Sequence, residues 1–317
     1  MQQYEKDLKT FLEHMKMVAE IIPIQTTILQ EIVNYFVEKE FNQLMPVILS
    51  TVTDPLAPDP SSTVKKTLQV DVYDQKLMLT QSMILHKQTA LISGMKRIFI
   101  VSPNVRLEDD SRKDTGKHCF EFSQVDFEIA YAKKEDVFDL IEELLVRIIK
   151  KVTTKHEDLL KKLGRSLAIP KRPFKIFTTY ELEEKYGKDW EFKASKDATD
   201  PFWVLDHKRE FYDKEDPKNK GHFLNYDLIY PEGFGEALSG GERETDYDII
   251  VRKLSENKRE DIILKYPTFF ELAKRKLLVP SAGGGFGVER LVRFVTGKKH
   301  IKDVQLFPRI PGEQVFM

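Results

Sequence analysis

The sequence predicts an α+β fold, and three observations support this prediction. Residues 5–20 and the segment after Pro23 carry apolar residues at helical spacing. Residues 104–108 and 118–128 alternate in polarity as paired strands do. Near the C terminus, the apolar run 277–279 leads through a glycine cluster into a further helical pattern.

Length and composition limit the class of protein. The 317 residues can bury a large core, in one big domain or two smaller ones. The 50 basic residues nearly balance the 51 acidic ones, which argues against a mainly electrostatic nucleic-acid binder. Cys119 is the only cysteine, so no intrachain disulfide can form. No apolar run approaches the ~20 residues that span a bilayer, and we expect a cytoplasmic protein with no membrane partner.

The C-terminal glycine cluster precedes a predicted amphipathic helix. Its apolar positions have the spacing of one helix face: Val288, Leu291, Val292 and Val295. Arg290 lies off that face, and Gly297 stands where a helix would end. The segment could be a tight turn with a solvated arginine. It could also be a site where bare backbone and a guanidinium hold a phosphorylated ligand.

The N-terminal third combines helices with short strands. The apolar segment 41–50 has the character of a strand interrupted by Pro46, which favours a sheet edge. This edge could be a subunit contact or an intramolecular one. Residues 51–63 form a proline-rich loop, which is either an inert connection or an active-site lid. Two short strands follow, before a helix that carries Lys87.

The middle of the chain contains a predicted hairpin with chemically versatile side chains. On its first strand, alternation places Arg106 and Glu108 on one face. The returning strand sets an aromatic ring among an amide and two carboxylates: Phe122, Gln124, Asp126 and Glu128. The hairpin could be a solvent-facing ribbon of charge pairs, or a surface that stacks a base and binds an amine.

Oxygen ligands flank flexible glycines in a later segment. Asp227, Glu236 and Ser239 suit magnesium, which prefers one or two carboxylates together with phosphates and water. A glycine-rich turn with ordinary polar residues would have the same pattern. Between the hairpin and this segment, residues 135–155 are predicted as a helix. The lysine- and glutamate-rich residues 156–200 are predicted as a peripheral insertion.

Three segments, in this order and spacing, resemble motifs 1, 2 and 3 of the class II aminoacyl-tRNA synthetases: 41–50, 106–128 and 283–290. Further segments resemble the aspartyl/asparaginyl branch: 79–82, 235–243 and 304–309. The resemblance covers residues 23–317, with residues 1–22 as an N-terminal helical extension. These synthetases carry an OB-fold anticodon-binding domain, for which the chain has no room before motif 1. The sequence therefore looks like an archaeal-type asparagine synthetase, a paralogue of these catalytic domains.

The resemblance implies an antiparallel sheet flanked by helices, a homodimer formed through motif 1, and a set of ATP contacts. Arg106 would bind the α-phosphate and offset charge in the transition state, with Arg290 as a second catalytic arginine. Glu108 would accept a hydrogen bond from the adenine amine, and Phe122 would stack on the base. His118 and Arg290 would hold the outer phosphates.

The same resemblance assigns the metal and amino-acid sites. Mg2+ would bind at Asp227, Glu236 and Ser239, and Glu236 is also counted among the ATP-binding residues. The residues expected to hold aspartate are Gln81, Ser82, Lys87, Asp126 and Arg243. Among these, Asp126 would pair with the α-ammonium, and Lys87 and Arg243 with the second carboxylate. Because a buried lysine without an anionic partner would cost several kcal/mol, Lys87 favours an acidic substrate over a neutral amide.

These assignments predict a reaction of aspartate, ATP and ammonia to asparagine, AMP and pyrophosphate, through a β-aspartyl adenylate and with no tRNA partner. The alternatives are a minimal aspartyl- or asparaginyl-tRNA synthetase, an enzyme of the same chemistry that modifies a protein or another RNA, and a catalytically silent regulatory paralogue. The sequence departs from the family at Lys117-His118, where an arginine–histidine pair is usual, and at Ile84, where a glutamine is usual. Asp54 or Asp59 could supply the carboxylate that closes over the substrate.

Overall fold

A computed structural model describes residues 2–56, 64, 67–208 and 210–316. Within these ranges the helices are α1 (Gln2–Ala19), α2 (Ile22–Glu38), α3 (Ile84–Ala90), α4 (Lys134–Lys155), α5 (Glu157–Lys162), α6 (Thr179–Tyr186), α7 (Trp190–Asp197), α8 (Tyr247–Glu256), α9 (Asp261–Lys265), α10 (Pro267–Lys274) and α11 (Val288–Thr296). The strands are β1 (Asn42–Leu44), β2 (Leu49–Ser50), β3 (Gln69–Val72), β4 (Gln75–Leu79), β5 (Arg97–Val105), β6 (Glu121–Ala130), β7 (Lys175–Thr178), β8 (Phe202–Leu205), β9 (Asn225–Tyr230), β10 (Gly235–Glu242) and β11 (Ser281–Gly287).

The large sheet has the strand order β1-β5-β6-β11-β10-β9-β8-β7. Its two outermost pairs, β1 with β5 and β7 with β8, run parallel. The pairs between them run antiparallel. A small antiparallel sheet has the order β2-β4-β3. The predicted α+β class, with a largely antiparallel sheet flanked by helices, is therefore confirmed.

The two faces of the large sheet have different chemistry. Val125 and Phe127 on β6 are fully buried in the main core, which α2, α4 and α11 cover. The Phe36 ring of α2 lies 4.9 Å from the ring of Phe99 and 5.6 Å from that of Phe127. Burial of each such side chain stabilises the fold by about 1.5–3 kcal/mol. Alternation along β6 therefore turns Gln124, Asp126 and their neighbours to the opposite, polar face.

The segment 41–50 divides at Pro46 into two strands that belong to different sheets. β1 pairs with β5 at the edge of the large sheet, as the proline predicted, and β2 pairs with β4 in the small one. The predicted alternation of Arg106 and Glu108 is wrong, because β5 ends at Val105 and both residues lie in irregular backbone beyond it.

The C-terminal glycines form a strand and not a tight turn, which was one of the two alternatives for this segment. β11 lies in the middle of the large sheet, between β6 and β10. A Cβ on Gly283 would lie 2.3 Å from Glu128 Oε2, and one on Gly285 would lie 2.1 Å from Gln124 Nε2. The glycines are therefore needed because side chains of β6 lie directly against the backbone of β11. The helix that follows is α11, and Gly297 ends it with a φ of 72°, as predicted.

The predicted helix at residues 135–155 corresponds to α4. The segment 156–200 contains α5, β7, α6 and α7, and β7 forms the far edge of the large sheet. Its last two helices turn back toward the polar face of the sheet, where they become part of the site described below. Among the described residues, no helix combines the length and apolarity that a membrane crossing requires.

Candidate active site

A cavity of about 580 Å3 opens on the polar face of the large sheet. Its floor is formed by residues of β6, β10 and β11, and its walls by the segments that follow β4 and β5 and by helices α6 and α7. With one exception, every predicted site residue lines this cavity. The exception is Gln81, whose Nε2 donates to the carbonyl of Asp54 (2.7 Å) and whose own carbonyl accepts from Arg106 Nε (2.9 Å). Gln81 therefore supports Arg106 from behind.

The residues predicted to bind the α-phosphate and adenine lie together. The Arg106 guanidinium is 5.2 Å from the centre of the Phe122 ring, within cation–π distance. Glu108 lines the same part of the cavity. An aromatic face, a guanidinium and a carboxylate here can stack a base, contact a phosphate and accept from an amine.

The residues predicted to hold the outer phosphates converge at the N-terminal end of α11. Arg290 Nη1 lies 3.0 Å from Glu236 Oε1, and Arg290 Nε donates to the carbonyl of Lys117 (3.4 Å). Burial, with the charges of Arg290 and Lys117, lowers the pKa of His118 to about 2. His118 is therefore a neutral imidazole that can form hydrogen bonds with a phosphate, and the cations at this end are Arg290 and Lys117.

At the amino-acid end, the side chain of Lys87 is buried and fully engaged. Its Nζ donates to Asp126 Oδ1 (3.2 Å), to the carbonyl of Phe127 (3.1 Å) and to the carbonyl of Gly284 (2.8 Å). Glu128 Oε2 lies 3.4 Å away. The premise that Lys87 would lack an anionic partner without an acidic substrate is therefore wrong, because the protein itself supplies two carboxylates.

Arg243 belongs to the same buried network. Its Nε and Nη2 donate to the two carboxylate oxygens of Glu128 (3.0 and 3.3 Å), and Nη1 lies 3.5 Å from Asp213 Oδ1. Burial acts to raise the pKa of Glu128, but the charges of Arg243 and Lys87 outweigh it and lower that pKa. Both predicted carboxylate-binding cations therefore sit in a network with three carboxylates, those of Asp126, Glu128 and Asp213.

One oxygen of this network has no partner. Asp126 Oδ2 is buried and accepts no hydrogen bond from the described residues, although Asp126 lines the cavity. An unsatisfied buried carboxylate oxygen costs several kcal/mol unless a ligand supplies a donor. A positively charged donor, such as an ammonium group, fits this position.

The residues predicted to bind metal lie on adjacent strands. Ser239 on β10 is the register partner of Asp227 on β9, and Glu236 precedes it on β10. Asp227 Oδ2 lies 3.4 Å from His207 Nε2. No group of three or more His, Cys, Asp or Glu side chains within the described ranges forms a metal site by itself. Two carboxylates and a hydroxyl fit Mg2+ that takes its remaining ligands from phosphates and water.

Several residues of the cavity were not singled out from the sequence as site residues. Glu191 of α7 pairs with Lys117, Asp213 with Arg243, and Glu289 accepts from the backbone N–H of Ser123 (2.9 Å). Asp54, one of two carboxylates proposed to close the site, lines the cavity, whereas Asp59 lies outside the described residues. The acidic residues that cluster after the strand β8 could have indicated Asp213 from the sequence. No sequence signal indicated Glu191, because its partner Lys117 is remote in the chain.

Comparison with known families places this cavity in context. A family model described as tRNA synthetases class II (D, K and N) matches residues 8–311. The chain belongs to this family. It is an ATP-dependent amino-acid ligase of the class II type.

Three similar proteins illustrate the relationship. The asparagine–tRNA ligase of Thermoplasma acidophilum is 28% identical over 309 residues, which cover 91% of this chain and 68% of the relative. The aspartate–tRNA(Asp/Asn) ligase of Methanothermobacter thermautotrophicus is 30% identical over 266 residues, which cover 76% of this chain and 57% of the relative. The structure of asparaginyl-tRNA synthetase from Pyrococcus horikoshii, complexed with asparaginyl-adenylate, superposes with a TM-score of 0.81 at 24% identity, covering 95% of this chain and 70% of that one.

These relatives overturn the predicted reaction. Synthesis of free asparagine from ammonia, without a tRNA partner, is wrong as a prediction, because similar proteins over most of the chain are named tRNA ligases. The error came from treating the short segment before motif 1 as evidence against tRNA binding. The match to this family of tRNA synthetases extends over residues 8–311.

Proposed function

We propose that this protein activates aspartate with ATP and transfers the aspartyl group to tRNA. The observation that supports the amino acid is the buried pair of Lys87 with Asp126, in which Asp126 Oδ2 lacks a partner. The aspartate–tRNA(Asp/Asn) ligase of Methanothermobacter thermautotrophicus, at 30% identity, supports the acceptor.

Aspartate can exchange partners with this pair without changing its charge. Its α-ammonium would bind Asp126 through Oδ2, and the ammonium of Lys87 would turn from Asp126 to the side-chain carboxylate. Arg243, which also lines the cavity, lies beside Glu128 at the end of the same network. Asparagine supplies the ammonium but no second anion, so Lys87 would keep Glu128 as a charged partner without a replacement for Asp126. The pocket therefore favours aspartate.

The adenylation step uses the residues around Arg106. An oxygen of the α-carboxylate attacks the α-phosphorus of ATP, the bond to the bridging oxygen of pyrophosphate breaks, and pyrophosphate leaves. Arg106 offsets the charge that develops on the α-phosphate, and Arg290 and Lys117 bind the leaving pyrophosphate. Asp227, Glu236 and Ser239 would hold Mg2+, which neutralises phosphate charge when bound.

The transfer step then needs only a hydroxyl nucleophile. A ribose hydroxyl at the 3′ end of tRNA attacks the carbonyl carbon of the adenylate, loses its proton, and AMP leaves. Adenylation makes this possible because AMP is a far better leaving group than the oxide of a free carboxylate. The proposed setting for this chemistry is the cytoplasm.

We also propose a homodimer formed at the motif 1 edge. Three apolar side chains are exposed there, Val37 (56%), Met45 (85%) and Ile48 (51%). A second copy that covers this edge would remove them from water and would pair two isologous surfaces. Light scattering coupled to size exclusion should give twice the chain mass, and Met45→Glu should shift it to the monomer.

Pyrophosphate exchange and tRNA charging test the proposed function. Labelled pyrophosphate should enter ATP in the presence of aspartate, much faster than with asparagine or with no amino acid. Labelled aspartate should then become acid-precipitable on tRNA. Exchange that depends on asparagine would reject the assignment of aspartate. Exchange with aspartate but no charging of any tRNA would reject the acceptor.

A further inference from the structure

Glu191 lies in the first turn of α7, within the segment that the sequence predicted to be peripheral. The helix is fastened to the turn between β9 and β10. Ser195 Oγ donates to the carbonyl of Tyr230 (2.6 Å) and accepts from the backbone N–H of Gly235 (3.0 Å). Ser195 is fully buried, so this attachment is shielded from water. The attachment holds the N-terminal end of α7 over the phosphate end of the cavity.

The Glu191 carboxylate joins two parts of that end. Its Oε1 accepts from Lys117 Nζ (2.6 Å) and from the backbone N–H of Glu236 (3.3 Å). The Lys117 carbonyl accepts from Arg290, and the Arg290 guanidinium pairs with the Glu236 side chain. Glu191 therefore contacts the loop and the strand that carry proposed phosphate-binding residues, and both of these contact Arg290 on α11.

The absence of a side chain at Gly235 leaves room for this carboxylate. Its φ is 77°, in the region that favours glycine, and a Cβ there would lie 2.9 Å from Glu191 Oε1. Any larger residue would push Glu191 away from Lys117. The local backbone and the Glu191 side chain are thus matched to each other.

The charges at this end nearly cancel. Lys117 faces Glu191, Arg290 faces Glu236, and His118 is neutral. Burial opposes the charge on Arg290, but Glu236 and Glu191 outweigh it and raise the pKa of Arg290. A phosphate group that contacts Lys117 must compete with Glu191. The Lys117–Glu191 pair is partly exposed, with 28% and 34% of the two side chains accessible, so the competition is a modest one.

We infer that Glu191 is a positioning residue that holds Lys117 in place. It competes with the outer phosphates of the nucleotide for the Lys117 ammonium, and this competition weakens the binding of both ATP and pyrophosphate. The inference rests on the proposed adenylation at this site. The physical reason is that a polyphosphate brings several negative oxygens to Lys117 and Arg290, whereas Glu191 brings one carboxylate. When pyrophosphate leaves, Glu191 recovers Lys117, which favours release of the product.

The decisive variant is Glu191→Gln, which keeps the shape and removes the charge. Isothermal calorimetry should show Kd values for ATP and for inorganic pyrophosphate that fall about 2- to 5-fold, equivalent to about 0.4–1 kcal/mol. The KM for aspartate in pyrophosphate exchange should not change. Glu183→Gln on α6, another carboxylate that lines the cavity, is the matched control and should leave all three values unchanged.

A double-variant cycle separates this role from a purely structural one. In a Lys117→Met background, Glu191→Gln should no longer alter the affinity for ATP, since its partner is gone. An unchanged or weaker affinity for ATP in the single variant would overturn the inference, as would the same gain in the Lys117→Met background. Calorimetry with ATP needs no turnover. If the wild-type protein shows no pyrophosphate exchange, the proposed function is rejected. The calorimetric double-variant cycle would still test the role of Glu191.

Discussion

The ammonium of Lys87 lies 3.2 Å from Asp126, and both side chains are buried, with 1% and 2% of their surfaces accessible. The pair lies at the edge of a cavity large enough for a nucleotide and an amino acid. Each member thus has two tasks. It stabilises its partner in the folded protein, and it is positioned to meet one charge of a zwitterionic ligand.

Replacing Lys87 should affect both tasks. Lys87→Met leaves Asp126 and Glu128 buried with one cation fewer, and we expect the free energy of unfolding to fall by about 3–5 kcal/mol. The KM for aspartate in pyrophosphate exchange should rise by at least about tenfold, because a charge-assisted contact is lost. Denaturant titration and exchange kinetics measure the two effects.

The matched control for Lys87→Met is its combination with Asp126→Asn. Removing both charges should recover part of the lost stability but none of the aspartate binding. If Lys87→Met bound aspartate as tightly as the wild type, the proposed partner exchange would be wrong.

The second prediction concerns Asp126 alone. Asp126→Asn should raise the KM for aspartate about 10- to 100-fold, because the α-ammonium loses its carboxylate partner. Binding of asparagine, where measurable, should weaken by a similar factor, since the α-ammonium is common to both. The Kd for ATP should stay the same. Glu121→Gln, at the exposed start of β6, is the control, and a comparable effect there would point to a general disturbance of the strand.

The third prediction concerns Arg106, which lies beyond the end of β5. Arg106→Gln should lower kcat for adenylate formation about 10^2- to 10^3-fold, with a smaller change in the affinity for ATP, because its contact strengthens as charge develops. Single-turnover measurement of adenylate formation separates the two quantities. Arg97→Gln, at the opposite end of β5, should leave kcat intact. A variant of Arg106 that changed only ATP affinity would argue against a catalytic role.

The fourth prediction concerns pH and Glu289. Burial raises the pKa of Glu289 to about 7, whereas an unfolded glutamate titrates near about 4.3. The unfolded state therefore loses its proton first as pH rises, so this group stabilises the fold below pH ~4.3, and the contribution is lost as pH rises through about 7. Because solvent reaches part of the side chain, we expect a loss of about 2 kcal/mol and not the full shift.

Glu289→Gln keeps an acceptor for the Ser123 N–H and removes the titration. Across pH 4.5 to 7.5, its free energy of unfolding should rise by about 2 kcal/mol relative to the wild type. Urea titrations at a series of pH values measure this difference. Parallel pH curves for the two proteins would show that Glu289 ionises in the folded state as it does in the unfolded one.

The glycine-rich segment near the C terminus shows which features a local sequence pattern can predict and which it cannot. It predicted α11, its apolar face and its end at Gly297, because helix periodicity and capping depend on neighbours within a few residues. It left the glycines as either a tight turn or a phosphate-binding segment, whereas they form the strand β11. What requires glycine there is the approach of Gln124 and Glu128 from another strand, and no local rule contains that information.

The sequence by itself determined the family, the order of its motifs and a set of site residues of which all but Gln81 line the cavity, because residue chemistry and local periodicity are written along the chain. The tertiary structure decided which charges face one another. It placed Glu191 beside Lys117 across 74 positions, and it surrounded Lys87 with acceptors from β6 and β11. The strength of an ion pair depends on distance and burial, and segments far apart in the chain acquire both only when the sheet and its helices pack.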